Sequence, residues 1–142
     1  MKTNASTQRY LVIGAARQGL AAARYLVRCG MDVVINDNRP AESMTVALAA
    51  MQGLPVQWIL GSHPLSALDG VDVICISGGV PLTLPIVVEA QRRGIPLTND
   101  TQVFMQAVPC PTIGITGSAG KTTTTTLVGR MAQSALREPR RA

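Results

Sequence analysis

Residues 10–30, YLVIGAARQGLAAARYLVRCG, carry the reading on which the fold turns. RYLVI (9–13) is a short apolar run that stops at Gly14, the pattern of a buried strand. GAARQG (14–19) follows. From Gln18 onward Leu20, Ala23, Tyr25, Leu26 and Val27 recur at helical spacing until Gly30, a helix stop. A strand, a glycine turn and a helix in that order is the setting of the dinucleotide fingerprint G-x-G-x-x-G. Gly14 supplies the tight turn, and Gly19 lets the helix pack against the sheet. The middle glycine is replaced by Ala16, whose methyl disfavours a tightly held pyrophosphate, although the helix N-terminus still offers N–H groups to an anion. Asp37 stands 23 residues after Gly14, at the end of the next apolar run. An acid there accepts hydrogen bonds from a ribose in a dinucleotide fold. The turn therefore reads as the seat of a nucleotide-like ligand, against the plainer alternative of a strand–helix connection with a surface aspartate.

Outward from this stretch the chain alternates. DVVIND (32–37), VQWIL (56–60), DVICIS (72–77) and IPLT (95–98) read as strands. MTVALAAMQ (44–52), LPIVVEAQRRG (84–94) and TQVFMQAV (101–108) read as helices. Such alternation predicts βαβ units and an α/β fold, a Rossmann-like parallel sheet covered by helices. Ser77-Gly78-Gly79-Val80 ends the fourth strand on the same carboxyl edge as the first turn, where open α/β sheets bind ligands. Its two glycines serve either a backbone that approaches a ligand or a simple turn. Two prolines in VPCP place a boundary near Ala107–Pro111, giving a first domain over 1–108 and a second unit over 109–142. The second unit reads as a last strand, PTIGIT (111–116), a glycine loop, and a helix over 121–136. One strand–loop–helix unit cannot cover its own apolar faces, so it reads as the opening of a longer P-loop ATPase-like domain, and the chain as a truncated one.

TGSAGKTT (116–123) is the second glycine loop. Gly117 and Gly120 let successive N–H groups curl around an anion. Lys121 adds a point charge for the β/γ-phosphates, and Thr122 is placed to offer its hydroxyl to Mg²⁺. The strict P-loop pattern requires glycine at 115, where Ile115 stands, so this is a variant with G-x-x-G-K-T as its kernel. Thr122 and Thr123 fall in the first helical turn, within reach of phosphate or metal. Thr124, Thr125 and Thr126 lie further on, to pack or to hydrogen-bond back to the preceding turn.

Composition narrows the function classes. Of 142 residues, 46% are hydrophobic and 15% charged, which suits a globular chain. No apolar run approaches the ~20 residues of a membrane span, and MKTNASTQRY has no apolar core of a secretory signal. A cytoplasmic location and no membrane partner are expected. Cys29, Cys75 and Cys110 are scattered and His63 is the single histidine, which argues against a Cys/His metal site. The net charge of +5 includes Arg137, Arg140 and Arg141 against Glu138 in the last six residues; the rest carries +3. With no basic stripe interleaved with aromatics, no nucleic-acid partner is expected.

The chain resembles the Mur ligases, the ATP-dependent amide ligases of peptidoglycan synthesis. The resemblance runs from Tyr10 to about Ser134 and is carried by VIGAARQGLAAARYL, VINDNRP, ISGGVP, NDTQVF and GITGSAGKTTTTTLVG. The P-loop alone fits any Mur ligase or folylpolyglutamate synthase; the N-terminal half narrows the likeness to the D-glutamate-adding members. The resemblance implies that ATP and Mg²⁺ activate the carboxylate of UDP-N-acetylmuramoyl-L-alanine as an acyl phosphate, which the amine of D-glutamate attacks. It implies that Gly14, Arg17 and Gln18 meet the uridine diphosphate, that Asp37, Asn38 and Arg39 meet the uracil and its neighbours, and that Ser77, Gly78, Gly79 and Val80 line the same pocket. Gly117, Ser118, Ala119, Gly120, Lys121, Thr122 and Thr123 would take ATP, with Lys121 and Thr122 catalytic and Thr122 on Mg²⁺. The family often has Ser-Pro-Gly at 77–79 and Asn at 119, so this chain departs from it at Gly78 and Ala119. A monomer is expected. Because further metal ligands and the D-glutamate site belong to later domains, these 142 residues alone are expected not to ligate. Three other readings stand beside this one: an NAD(P)-binding Rossmann oxidoreductase, which leaves the second loop idle, a non-catalytic nucleotide-binding module, and a Mur-type ligase of different specificity.

Overall fold

The computed structural model describes residues 7–137. The chain divides into two compact units, Met1–Ala107 and Val108–Ala142. In the first unit β1 (Arg9–Ile13), α1 (Arg17–Arg28), β2 (Asp32–Asp37), α2 (Thr45–Ala50), β3 (Val56–Leu60), β4 (Val73–Ile76), α3 (Pro85–Arg92), β5 (Leu97–Asn99) and α4 (Asp100–Ala107) follow in turn. Single 3₁₀ turns at Ala41–Ser43 and Leu65–Leu68 were not expected from the sequence. Each follows a proline, Pro40 and Pro64, whose fixed φ starts a tight turn.

All the strand pairs are parallel, and the sheet order is β3-β2-β1-β4-β5. The chain builds outward from β1 to β3, then returns to the other side of β1 to lay down β4 and β5. The order therefore reverses beside the first glycine turn, which puts that turn at the topological switch point. Period-two alternation splits the apolar residues of each strand between two faces. Val12, Val33, Ile35 and Cys75 pack with Ala22, Ala23 and Leu26 of α1 and with Met44, Ala47 and Met51 around α2. Leu11, Ile13, Val34, Ile74 and Ile76 pack on the other face with Leu68 and with Ile86, Val87 and Ala90 of α3. Burial on both faces explains why the strands read as continuous apolar runs. β5 is shorter than expected, beginning at Leu97. Pro96 has no N–H to give a ladder, though its carbonyl accepts from Ile74 at 2.9 Å.

In the second unit α5 spans Lys121–Arg137. The strand expected over 111–116 is not formed. A strand exists only through pairing with a neighbour, and the described residues of this unit contain no other strand to pair with. Pro111 withholds a donor at its start as well.

Candidate functional site at the first glycine turn

The turn is built by close approach. Gly14 has φ +93°, the left-handed region. Its N–H donates to the Asn36 carbonyl at 2.8 Å, and its own carbonyl accepts from Ser77 Oγ at 2.8 Å. A Cβ placed on Gly19 would lie 1.9 Å from the Gly14 carbonyl oxygen and 2.3 Å from Ser77 Oγ, so only glycine fits there. This close packing draws the N-terminus of α1 against the switch point. No side chain caps α1, and the N–H groups of Arg17, Gln18 and Gly19 have no partner among the described residues. They are available to an anion, as at other helix N-termini.

Asp37 is largely withdrawn from solvent at this site. Its side chain is 6% exposed. One carboxylate oxygen takes the Ala15 N–H at 2.8 Å and Arg39 Nη2 at 2.8 Å; the other takes the Arg39 N–H at 3.0 Å and Arg39 Nε at 2.9 Å. Those four bonds use the roughly four acceptor positions of a carboxylate. The Arg39 side chain, with the Ala15 and Arg39 N–H groups beside it, holds the Asp37 carboxyl well below its ordinary range against the opposing effect of burial. The same pairing raises Arg39. Asp37 is thus a brace that aims Arg39, and its oxygens are not left over for a ribose.

Arg39 faces a cleft of about 420 Å³ between α1 and α2. Arg17, Leu20 and Arg24 form one wall, at the i, i+3, i+7 spacing of a helix face, and Ser43, Met44, Val46, Ala47 and Ala50 form the other. Arg24 was not singled out in the sequence, although its spacing from Arg17 was a usable signal. Its Nη2 donates to the Ala50 carbonyl at 2.6 Å and ties α2 to α1. Three guanidinium groups and a mostly apolar lining suit a ligand with an anionic end and a less polar body.

The remaining expected residues separate from this cleft. Ser77, Gly78, Gly79 and Val80 line a second cleft of about 550 Å³, shared with Thr98, Asn99 and Asp100 at the ends of β4 and β5. Gln18 lines a third groove between α1 and α4. The space beside Gly78 is where its amide reaches, since a Cβ on Gly78 would lie 2.9 Å from Gln18 Oε1. The first two clefts flank the glycine turn: Ala15 lines one, while Ser77 and Val80 of the other would meet a Cβ on Gly14 at 3.1 Å. Asn38 is exposed beside Arg39. Cys75 is buried, and burial, reinforced by the charge of Asp100, pushes its thiol up to about 12. It is an inert core thiol.

The second glycine loop stands by itself in the other unit. Gly117 and Gly120 have φ +149° and +79° and curl the chain into the start of α5. Lys121 Nζ donates to the Gly117 carbonyl. Thr124, Thr125 and Thr126 hydroxyls donate to the carbonyls of Gly120, Lys121 and Thr122 at 3.0, 2.8 and 2.9 Å. They bond back to the preceding turn, the second of the two roles expected for them. Thr122 and Thr123 hydroxyls make no such bond among the described residues and are exposed. No group of three or more His, Cys, Asp or Glu side chains that could hold a metal occurs among the described residues. A magnesium ion here would take the Thr122 hydroxyl together with phosphate and water oxygens, a set that Mg²⁺ accepts.

A doubly wound parallel sheet, a glycine turn at its switch point and an arginine-lined cleft between α1 and α2 define a Rossmann-like domain. Residues 8–99 match the family model described as Mur ligase MurD-like, N-terminal domain, and the chain belongs to that family. It is 45% identical over 130 residues to UDP-N-acetylmuramoylalanine--D-glutamate ligase of Oceanobacillus iheyensis, covering 91% of this chain and 28% of that protein. It is 41% identical over 122 residues to the protein of the same name from Exiguobacterium sibiricum, covering 85% of this chain and 26% of that one. The chain therefore spans between a quarter and three tenths of these relatives. Among solved structures, the UDP-N-acetylmuramate:L-alanyl-gamma-D-glutamyl-meso-diaminopimelate ligase from Neisseria meningitides superposes with a TM-score of 0.62 at 20% identity, over 92% of this chain and 40% of that one. That likeness concerns the fold alone.

Proposed function

We propose that the first unit binds the uridine diphosphate of UDP-N-acetylmuramoyl-L-alanine, as part of an ATP-dependent amide ligase that adds D-glutamate to it in peptidoglycan precursor synthesis. In this reading the nucleotide occupies the cleft of Arg17, Arg24 and Arg39. Its diphosphate lies over the free N–H groups of α1, and the sugar extends past Gly14 toward Ser77–Val80. Asp37 acts by holding Arg39. The second glycine loop would take the ATP phosphates on its N–H groups and Lys121, with Thr122 on Mg²⁺. Bound ATP supplies the phosphoryl group that turns the substrate carboxylate into an acyl phosphate. Turnover is proposed for the whole ligase, most of whose length in the relatives has no counterpart in this chain; ligand binding is proposed for the chain itself.

The observation that carries this reading is the spent carboxylate of Asp37, which braces Arg39 at a cleft that Arg17 and Arg24 also line. A nicotinamide dinucleotide site uses that acid to accept a ribose hydroxyl, and here it has no acceptor position left. Calorimetric titration of the chain with UDP and with NADH tests the point. Binding of UDP with no heat from NADH is expected; tighter binding of NADH than of UDP would overturn the reading.

A further inference from the structure

We propose that Asn36 and His63 form a clasp that positions Arg39 in the nucleotide cleft, so that both are positioning residues for a nucleoside-diphosphate ligand. This rests on the uridine diphosphate reading above. Asn36 is wholly buried near the end of β2, after the apolar run Val33–Ile35 and before Asp37. Its Nδ2 donates to the carbonyls of Ile59 and Ser62, each at 2.8 Å. Its Oδ1 lies 2.5 Å from His63 Nδ1. Both amide hydrogens are spent on carbonyls, so the atom facing the imidazole is an acceptor and His63 Nδ1 carries the hydrogen.

The segment held this way reaches the site through its backbone. Pairing of β2 with β3 ends at Asp37 and Leu60. Just beyond, the Gly61 N–H is shared between the carbonyls of Asp37 and Arg39, at 3.0 Å each. Gly61 has φ +87°, the left-handed region that favours glycine, and turns the chain away from β3 toward Ser62 and His63. The turn carrying Arg39 is thus held by Gly61, and the two residues after Gly61 are held in turn by Asn36, through the Ser62 carbonyl and His63 Nδ1. The Arg39 side chain closes on Asp37. A guanidinium anchored at both its backbone and its side chain presents a fixed donor face to the cleft, which lowers the cost of ordering it around a ligand. Asn36, the buried member of the clasp, has both amide hydrogens and its oxygen paired, and a buried polar group so satisfied specifies one geometry.

The experiment uses His63→Phe, which keeps a ring and removes the donor, and His63→Asn, whose amide nitrogen stands the same number of bonds from the backbone as Nδ1. UDP is the probe, with each protein titrated well below its measured melting temperature. His63→Phe is expected to lower UDP affinity about tenfold, the effect of one misaligned charge-assisted hydrogen bond, and His63→Asn to restore it to within about twofold. In an Arg39→Ala background His63→Phe should cost nothing further, because it acts through Arg39. Amide chemical shifts of residues 37–39 in the ligand-free chain should move in His63→Phe and return in His63→Asn. A folded His63→Phe that binds UDP like the parent, losses that multiply in the double variant, or unmoved amide shifts would each overturn the clasp. Absence of UDP binding by the parent chain would overturn the functional reading, while the amide shifts still decide whether the clasp holds the turn.

Discussion

Gly19→Ala puts the close packing of the glycine turn to a direct test. An alanine methyl at 19 would sit 1.9 Å from the Gly14 carbonyl oxygen and 2.3 Å from Ser77 Oγ. Ordinary carbon–oxygen contact lies well beyond 3 Å, so α1 must move outward by roughly 1 Å or more. Overpacking of this kind costs about 1–3 kcal/mol. The shift also breaks the 2.8 Å bond from Ser77 Oγ to the Gly14 carbonyl, worth about 1 kcal/mol. Against these stands a gain of about 1 kcal/mol, because alanine is the better helix former. The balance is a destabilisation of about 2 kcal/mol. Trp58, the single tryptophan, lies in β3 of the same unit, so urea unfolding followed by its fluorescence reads the loss directly. Gly129→Ala is the control. It lies in α5 with nothing within 4 Å of its added Cβ, and helix content by circular dichroism should rise. A Gly19→Ala midpoint equal to or above the parent's would refute the packing argument.

Further expectations concern charge and thiol chemistry. Arg39→Gln should cost about 2 kcal/mol and weaken UDP binding, since it removes charge-assisted bonds from a buried carboxylate; urea midpoints and calorimetry check the two effects, and an unchanged UDP affinity would count against the cleft. Glu89 accepts from Arg92 and Arg93, which hold it at about 2 against an ordinary 4.5, and Asp37 is likewise depressed. Both folded values lie below the unfolded ones, so the stability they give is fully present above the ordinary carboxylate range. It is lost as pH falls from about 4.5 toward 2. Urea midpoints should therefore drop between pH 6 and pH 3, and Arg92→Ala with Arg93→Ala should flatten the drop. Cys29 and Cys110 are exposed while Cys75 is buried, so a thiol reagent should modify two cysteines in the native chain and the third only on unfolding.

The sequence by itself determined the α/β class, the run of strands and helices in the first unit, and the two glycine loops. Those signals are local. Apolar period, a glycine that can take φ +93°, and a helix stop at Gly30 act within a few residues of one another. The role of Gly19 was legible for the same reason. What only the tertiary structure decided depends on partners far apart in the chain. PTIGIT has the composition of a strand and is not one, because pairing, not propensity, makes a strand. Asp37 has the position of a ribose acceptor, yet Ala15, 22 residues earlier, and Arg39 take all its acceptor positions. The expected site residues fall into separate clefts on either side of Gly14, while Arg24 joins Arg17 and Arg39. Asn36 and His63, 27 residues apart, meet only because β2 and β3 pair in parallel. Residue type says what a side chain can bond; the register of the sheet says which groups are close enough to claim it first.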